Sequence, residues 1–164
     1  MIASSLGAVH VAAALVALAL GAAVLGAPKG TLFHRTLGAG YVAAMVILNL
    51  SALAIYRLTH HVEPFHLLAL LSLATIIGGV TLALRRQPGW LLGHYWNMAW
   101  SYVGLLAAAC GEIIIRLLVP AGILTGPWEI IGGGAAIAVV FVVLGLIVLP
   151  RFQSMATAGG PTSG

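Results

Sequence analysis

Four histidines carry most of the chemistry that this sequence offers. His10, His34, His66 and His94 each fall a few residues inside one long apolar run, near its beginning. An ionisable side chain inside a bilayer is costly and marks a functional site by default. Successive spans run in opposite directions, so their beginnings alternate between the two membrane faces. His10 and His66 then share one level, and His34 and His94 share the other. An iron held by two imidazoles from opposite helices is a common solution in helical bundles. The pattern therefore predicts two haem b groups, one ligated by His10 and His66 and one by His34 and His94. With about 12 residues between the levels, the irons would lie about 18 Å apart.

Other residues share these helix faces at steps of three and four. The first run presents Ala14, Ala17 and Gly21 below His10, a small-residue wall suited to a flat macrocycle. The second aligns His34, Gly38, Met45 and Asn49, and the third has Gly78 and Gly79 at the inner level. The fourth aligns His94, Met98, Ser101, Leu105, Ala108 and Glu112. His94 and Glu112 are five turns apart and point the same way, which puts Glu112 at the level of His10 and His66. Glu112 is the candidate for proton exchange there. Arg116, four residues on, would neutralise it or reach a haem propionate. Arg57 is a second outer partner for propionates, and Arg35, with Lys29 and Arg85 or Arg86, serves the inner level. His60 and His61 lie in a loop and read as solvated. Met98 reads as core, with an iron or copper ligand as the alternative.

The elements that must position these groups follow from composition. Of 164 residues, 62% are hydrophobic and 6% charged, and the mean hydropathy is +1.13. That excludes a water-soluble domain and predicts an all-α polytopic membrane protein. Five runs can cross a hydrocarbon core, near 5–27, 32–56, 64–84, 91–118 and 129–149. The expectation is a transmembrane domain over 1–152, a four-helix core bundle with a fifth peripheral helix, and a disordered tail over 153–164. Pro150 is expected to end the last span. The first run has no basic residue before it, so it reads as an uncleaved span. Lys29, Arg35, Arg85, Arg86 and Arg151 fall on one side and Arg57 and Arg116 on the other. The positive-inside bias puts the N-terminus outside and the C-terminus in the cytoplasm of a bacterial inner membrane. Trp90, Tyr95 and Trp96 would belt the inner boundary, and Tyr56, Phe65 and Trp128 the outer.

The net charge of +4 resides in loops and speaks to topology, not to nucleic acid. A single Cys110 excludes an intramolecular disulfide and a cysteine metal site. Three functions remain compatible. The first is a di-haem cytochrome linked to quinone or a small reductant. The second is a zinc or copper enzyme or transporter using His10, His66 and Glu112, with His60 or His61 as a further candidate ligand. It leaves His34 and His94 unexplained. The third is an accessory subunit of a larger membrane complex, docking through its lipid-facing helices, with the last span and its Gly132–Gly134 run as the surface.

The segments KGTLFHRTLGAGYVAAM (29–45) and EPFHLLALLSL (63–73), with H-x-x-x-M at 94–98, resemble a family of small bacterial predicted membrane proteins of unknown function. The resemblance covers roughly residues 10–116 and implies that His34, Arg35, Gly38, His66, His94 and Met98 belong to the family pattern. It brings no activity, and the fifth span lies outside it. The alternation of ligand helices is also similar to ascorbate-reducible transmembrane di-haem cytochromes b and their quinone-linked bacterial relatives. This likeness is architectural only. No substrate motif of such proteins is present.

Overall fold

The computed structural model describes residues 5–59, 64–123 and 125–158. All five elements are helices: α1 Ser5–Gly26, α2 Leu32–Thr59, α3 Pro64–Arg85, α4 Trp90–Leu118 and α5 Pro127–Ala158. Each contains a stretch long and apolar enough to span a membrane. Large apolar side chains such as Leu67, Leu71, Ile77 and Leu146 stand exposed, as a lipid-facing surface requires. His60, His61 and Glu63 lie outside the described residues, as do the side chains of Tyr56, Arg57, Phe65, Trp128 and Arg151.

The connections explain where the helices begin and end. Thr31 caps α2: its Oγ1 accepts the His34 amide at 3.1 Å and donates to the Pro28 carbonyl at 2.8 Å. Such a cap is worth about 1 kcal/mol, and here it fixes the turn that carries His34. Lys29 closes the preceding helix by donating to the Val24 and Leu25 carbonyls at 2.8 Å each. Burial of the ammonium against these carbonyls pushes its pKa below the ordinary lysine value. Between α3 and α4, Trp90 N–H returns to the Gln87 carbonyl at 2.9 Å, with Pro88 and Gly89 at the corners. Gly89 has φ +78°, which a type II turn demands at that position.

The helix that was expected to stop at Pro150 does not stop there. α5 runs on to Ala158 with Pro150 inside it, so helix replaces the expected disordered tail as far as that residue. Pro150 lacks the N–H that would bond the Leu146 carbonyl, but a proline costs one hydrogen bond without obliging the chain to leave the helix. Residues 159–164 lie outside the described set.

The chain divides into two units, 1–105 and 106–164. The first contains α1 to α3 and residues 90–105 of α4. Ala13, Ala17, Tyr41, Ala44, Met45, Leu48, Ile76 and Leu105 form its buried centre. Hydrogen bonds pin neighbours together: His10 to Ser51 (α1–α2), Asn49 to Ser72 (α2–α3), Tyr41 to Ser101 (α2–α4) and Tyr102 to the Leu18 carbonyl (α4–α1). In the second unit, the remainder of α4 and α5 line an apolar pocket of about 310 Å³ with Cys110, Ile114, Ala136, Ile137, Val140 and Phe141.

Candidate functional site

The contacts fix the depth of each histidine. His34 interacts with the Val24 carbonyl near the end of α1, and His94 bonds the Gly79 carbonyl near the end of α3. His10, near the start of α1, bonds Ser51 near the end of α2. His66 sits half-buried in the first turn of α3, at that same end. These contacts put His10 and His34 toward opposite ends of the bundle: fourteen residues of α1 separate His10 from Val24, a rise of about 21 Å, and seventeen residues of α2 separate His34 from Ser51, about 25 Å. The helices are longer than the hydrocarbon core needs, and the histidines sit close to their ends.

At the inner level, His94 Nδ1 lies 2.9 Å from the Gly79 carbonyl oxygen. A carbonyl only accepts, so Nδ1 carries the proton and Nε2 the lone pair. Metal-bound imidazoles are oriented by this kind of bond. His34 interacts electrostatically with His94, and its buried Nδ1 has no hydrogen-bond partner. A buried polar atom without a partner calls for an explanation. One turn along, half-buried Gly38 has open space where a side chain would stand. The Trp90 ring lies 6.4 Å from the His94 ring.

Imidazole lone pairs, an unsatisfied nitrogen and adjacent space fit a group ligated from two helices. The small-residue wall fits less well. Gly21 is covered by the Tyr102 ring, and Gly79 by Met98 and Asn97, so these glycines serve helix packing and leave no flat face. Met98 Cε rests against Gly79, in keeping with its core reading.

The outer level holds a second tethered imidazole. His10 Nδ1 lies 3.0 Å from Ser51 Oγ, and Ser51 is buried. Among the described residues, no three of His, Cys, Asp and Glu come close enough to hold a metal ion. In the second unit, Arg116 Nε donates to Glu112 Oε1 at 2.7 Å and Nη2 joins the same oxygen, so Arg116 neutralises Glu112. Both side chains are partly exposed, at 46% and 39%. Arg35 is exposed beside His34 in sequence.

Sequence reasoning singled out Asn49 and Ser101 through their spacing but missed Tyr41, Ser51, Ser72 and Tyr102. The available signal was a hydroxyl inside an apolar span, where an unpaired one would be costly.

These features define a polytopic helical membrane protein with a histidine-bearing bundle. Residues 7–149 match the model of the family described as Predicted membrane protein (DUF2306), and the chain belongs to it. The match reaches Leu149, within α5, so it takes in the fifth span that the 10–116 resemblance left out. No curated protein and no solved structure matches the chain.

Proposed function

We propose that this chain is a b-type membrane cytochrome that holds two haems, one between His34 and His94 and one between His10 and His66. The carrying observation is the inner pair: His94 fixed through Nδ1 by the Gly79 carbonyl, within electrostatic range of a His34 whose buried Nδ1 is unsatisfied. A porphyrin supplies four nitrogens, so two imidazoles complete the iron, whereas a zinc site needs three or four protein ligands. The described residues offer histidines in tethered positions and no such trio.

Bound haem would supply one-electron chemistry. The protein's own residues orient the imidazoles, exclude water and balance charge. In this reading Arg35 would meet inner propionates and Arg57 outer ones, while Arg116 is engaged by Glu112. Between the two levels, Ala17, Met45, Ile76 and Leu105 are at most 5% exposed, and the polar groups buried beside them, Tyr41, Asn49 and Ser101, are engaged in hydrogen bonds. A packed interior whose polar groups are paired favours electron transfer over ion conduction. The donor in this reading is a quinol or small reductant, and Glu112 takes part in proton exchange. The setting is a bacterial inner membrane with the N-terminus outside.

The test is an absorption spectrum of the purified protein, oxidised and then reduced, with haem quantified per chain. The expected result is a Soret band, sharp reduced α-bands and about two haems, with His34→Ala and His10→Ala each removing one. A colourless protein from haem-replete cells would sink the proposal. Stoichiometric zinc or copper, lost in His10→Ala or Glu112→Ala but kept in His34→Ala, would replace it with the metalloenzyme reading.

A further inference from the structure

Arg86 stands where a glycine would cost the backbone less. Its φ is +49°, and among the described residues it is the one residue other than glycine in the left-handed region. It follows the last residue of α3, and its N–H bonds the Leu82 carbonyl at 3.0 Å, the bond that closes a helix on a left-handed residue. Glycine adopts that conformation without steric cost, whereas an arginine Cβ crowds the following carbonyl. A strained backbone under a charged side chain points to a use for that side chain. The guanidinium carbon lies 5.9 Å from the centre of the Trp90 ring, a cation–π arrangement. Stacking restrains the guanidinium plane and leaves its N–H edges free to donate. Among the described residues, no carboxylate or carbonyl accepts from it. Within residues 1–105 the sole acidic side chain is Glu63, which precedes α3, whereas Arg86 follows it.

The apolar stretch of α3 ends at Arg85 and that of α4 begins at Trp90, so Arg86 lies at the level of lipid headgroups. Leu84 and Leu91, near it in sequence, stand exposed as a surface for acyl chains. We propose that Arg86, held against Trp90, binds the phosphate of an anionic phospholipid whose acyl chains lie along Leu84 and Leu91. A guanidinium meets two phosphate oxygens at once. A free phosphate would share that fork but gain nothing from the leucines. Arg85 is also exposed, as the last residue of α3, and has no such ring contact among the described residues. It adds attraction for an anion without fixing a geometry. No haem is needed for this contact.

The experiment reconstitutes the full chain in nanodiscs of phosphatidylcholine with increasing phosphatidylglycerol and reads the thermal unfolding midpoint at each composition. Phosphatidylglycerol is expected to raise the midpoint of the unsubstituted protein. Arg86→Gln should need more than about 5-fold more of this lipid for the same rise, and Arg85→Gln no more than about 5-fold, the figure for a cation that only adds to the surface charge. Arg86→Gly removes the backbone strain together with the charge. In pure phosphatidylcholine it should unfold no earlier than the unsubstituted protein, yet respond to phosphatidylglycerol as weakly as Arg86→Gln. Equal shifts in Arg85→Gln and Arg86→Gln would mean diffuse attraction and overturn the site. So would an unsubstituted protein indifferent to phosphatidylglycerol, or equal protection by inorganic phosphate in pure phosphatidylcholine. A lipid response that is native in Arg86→Gln, with haem loading lost instead, assigns Arg86 to a propionate and overturns the lipid site as well. If one Arg86 variant does not fold, the other carries the comparison.

Discussion

Gly21 and Gly38 occupy helix interiors in the same bundle, yet their surroundings predict opposite responses to a methyl group. At Gly21 a Cβ meets the Tyr102 ring and comes within 3.1 Å of Tyr41. Gly21→Ala is expected to destabilise the bundle by about 1–3 kcal/mol, the usual penalty for overpacking. At Gly38 a Cβ meets nothing within 4 Å. Gly38→Ala should stabilise the haem-free protein by about 0.5–1 kcal/mol, because glycine costs that much in a helix. If the space beside His34 is where haem lies, the same substitution weakens inner-haem binding. Thermal unfolding of haem-free and haem-loaded protein separates the two effects, and equal stabilisation of both forms would remove Gly38 from the site. The histidine levels were legible in the sequence because their spacing alternates with span direction. The covering of Gly21 by Tyr102 was not, since it depends on how each helix is rotated, which no single helix encodes.

Helix ends show local sequence acting directly. The Pro and Gly residues of Ala27–Gly30, Arg85–Gly89 and Pro120–Pro127 carry turn chemistry in the sequence, and the described helices break there. Glu129 lies in the first turn of α5, where a carboxylate complements the helix dipole. Its Oε2 accepts the Thr125 and Gly126 amides at 2.7 and 3.1 Å, and these bonds hold its carboxyl below the usual range. A carboxylate with a lowered folded pKa contributes stability above its unfolded value, near 4.5. That contribution is lost as pH falls through the folded value. Protection of the Thr125 and Gly126 amides, measured against their intrinsic exchange rate at each pH, is therefore expected to fall as pH drops below about 4.5, and in Glu129→Gln this loss of protection with acid should disappear. An unchanged acid response in that variant would assign the effect to another group. Pro150 misled the sequence reading for a physical reason: proline raises the cost of continuing a helix but does not forbid it.

At the scale of the whole molecule, composition alone established a polytopic helical membrane protein, because 62% hydrophobic residues leave no soluble alternative. The order of five spans was equally legible. The division at Leu105 was not, since α4 reads as one uninterrupted apolar run and its first and last turns serve different units. The closely packed layer of Ala17, Met45, Ile76 and Leu105 lies between the two histidine levels. If haems are bound at both levels, an electron passed from one to the other does work against the membrane's voltage, about 2.3 kcal/mol per 100 mV for a full crossing. In sealed vesicles, collapsing the potential with an ionophore should change the rate at which an outer donor reduces the inner haem. A rate indifferent to voltage would mean that donor and acceptor meet the protein from the same side.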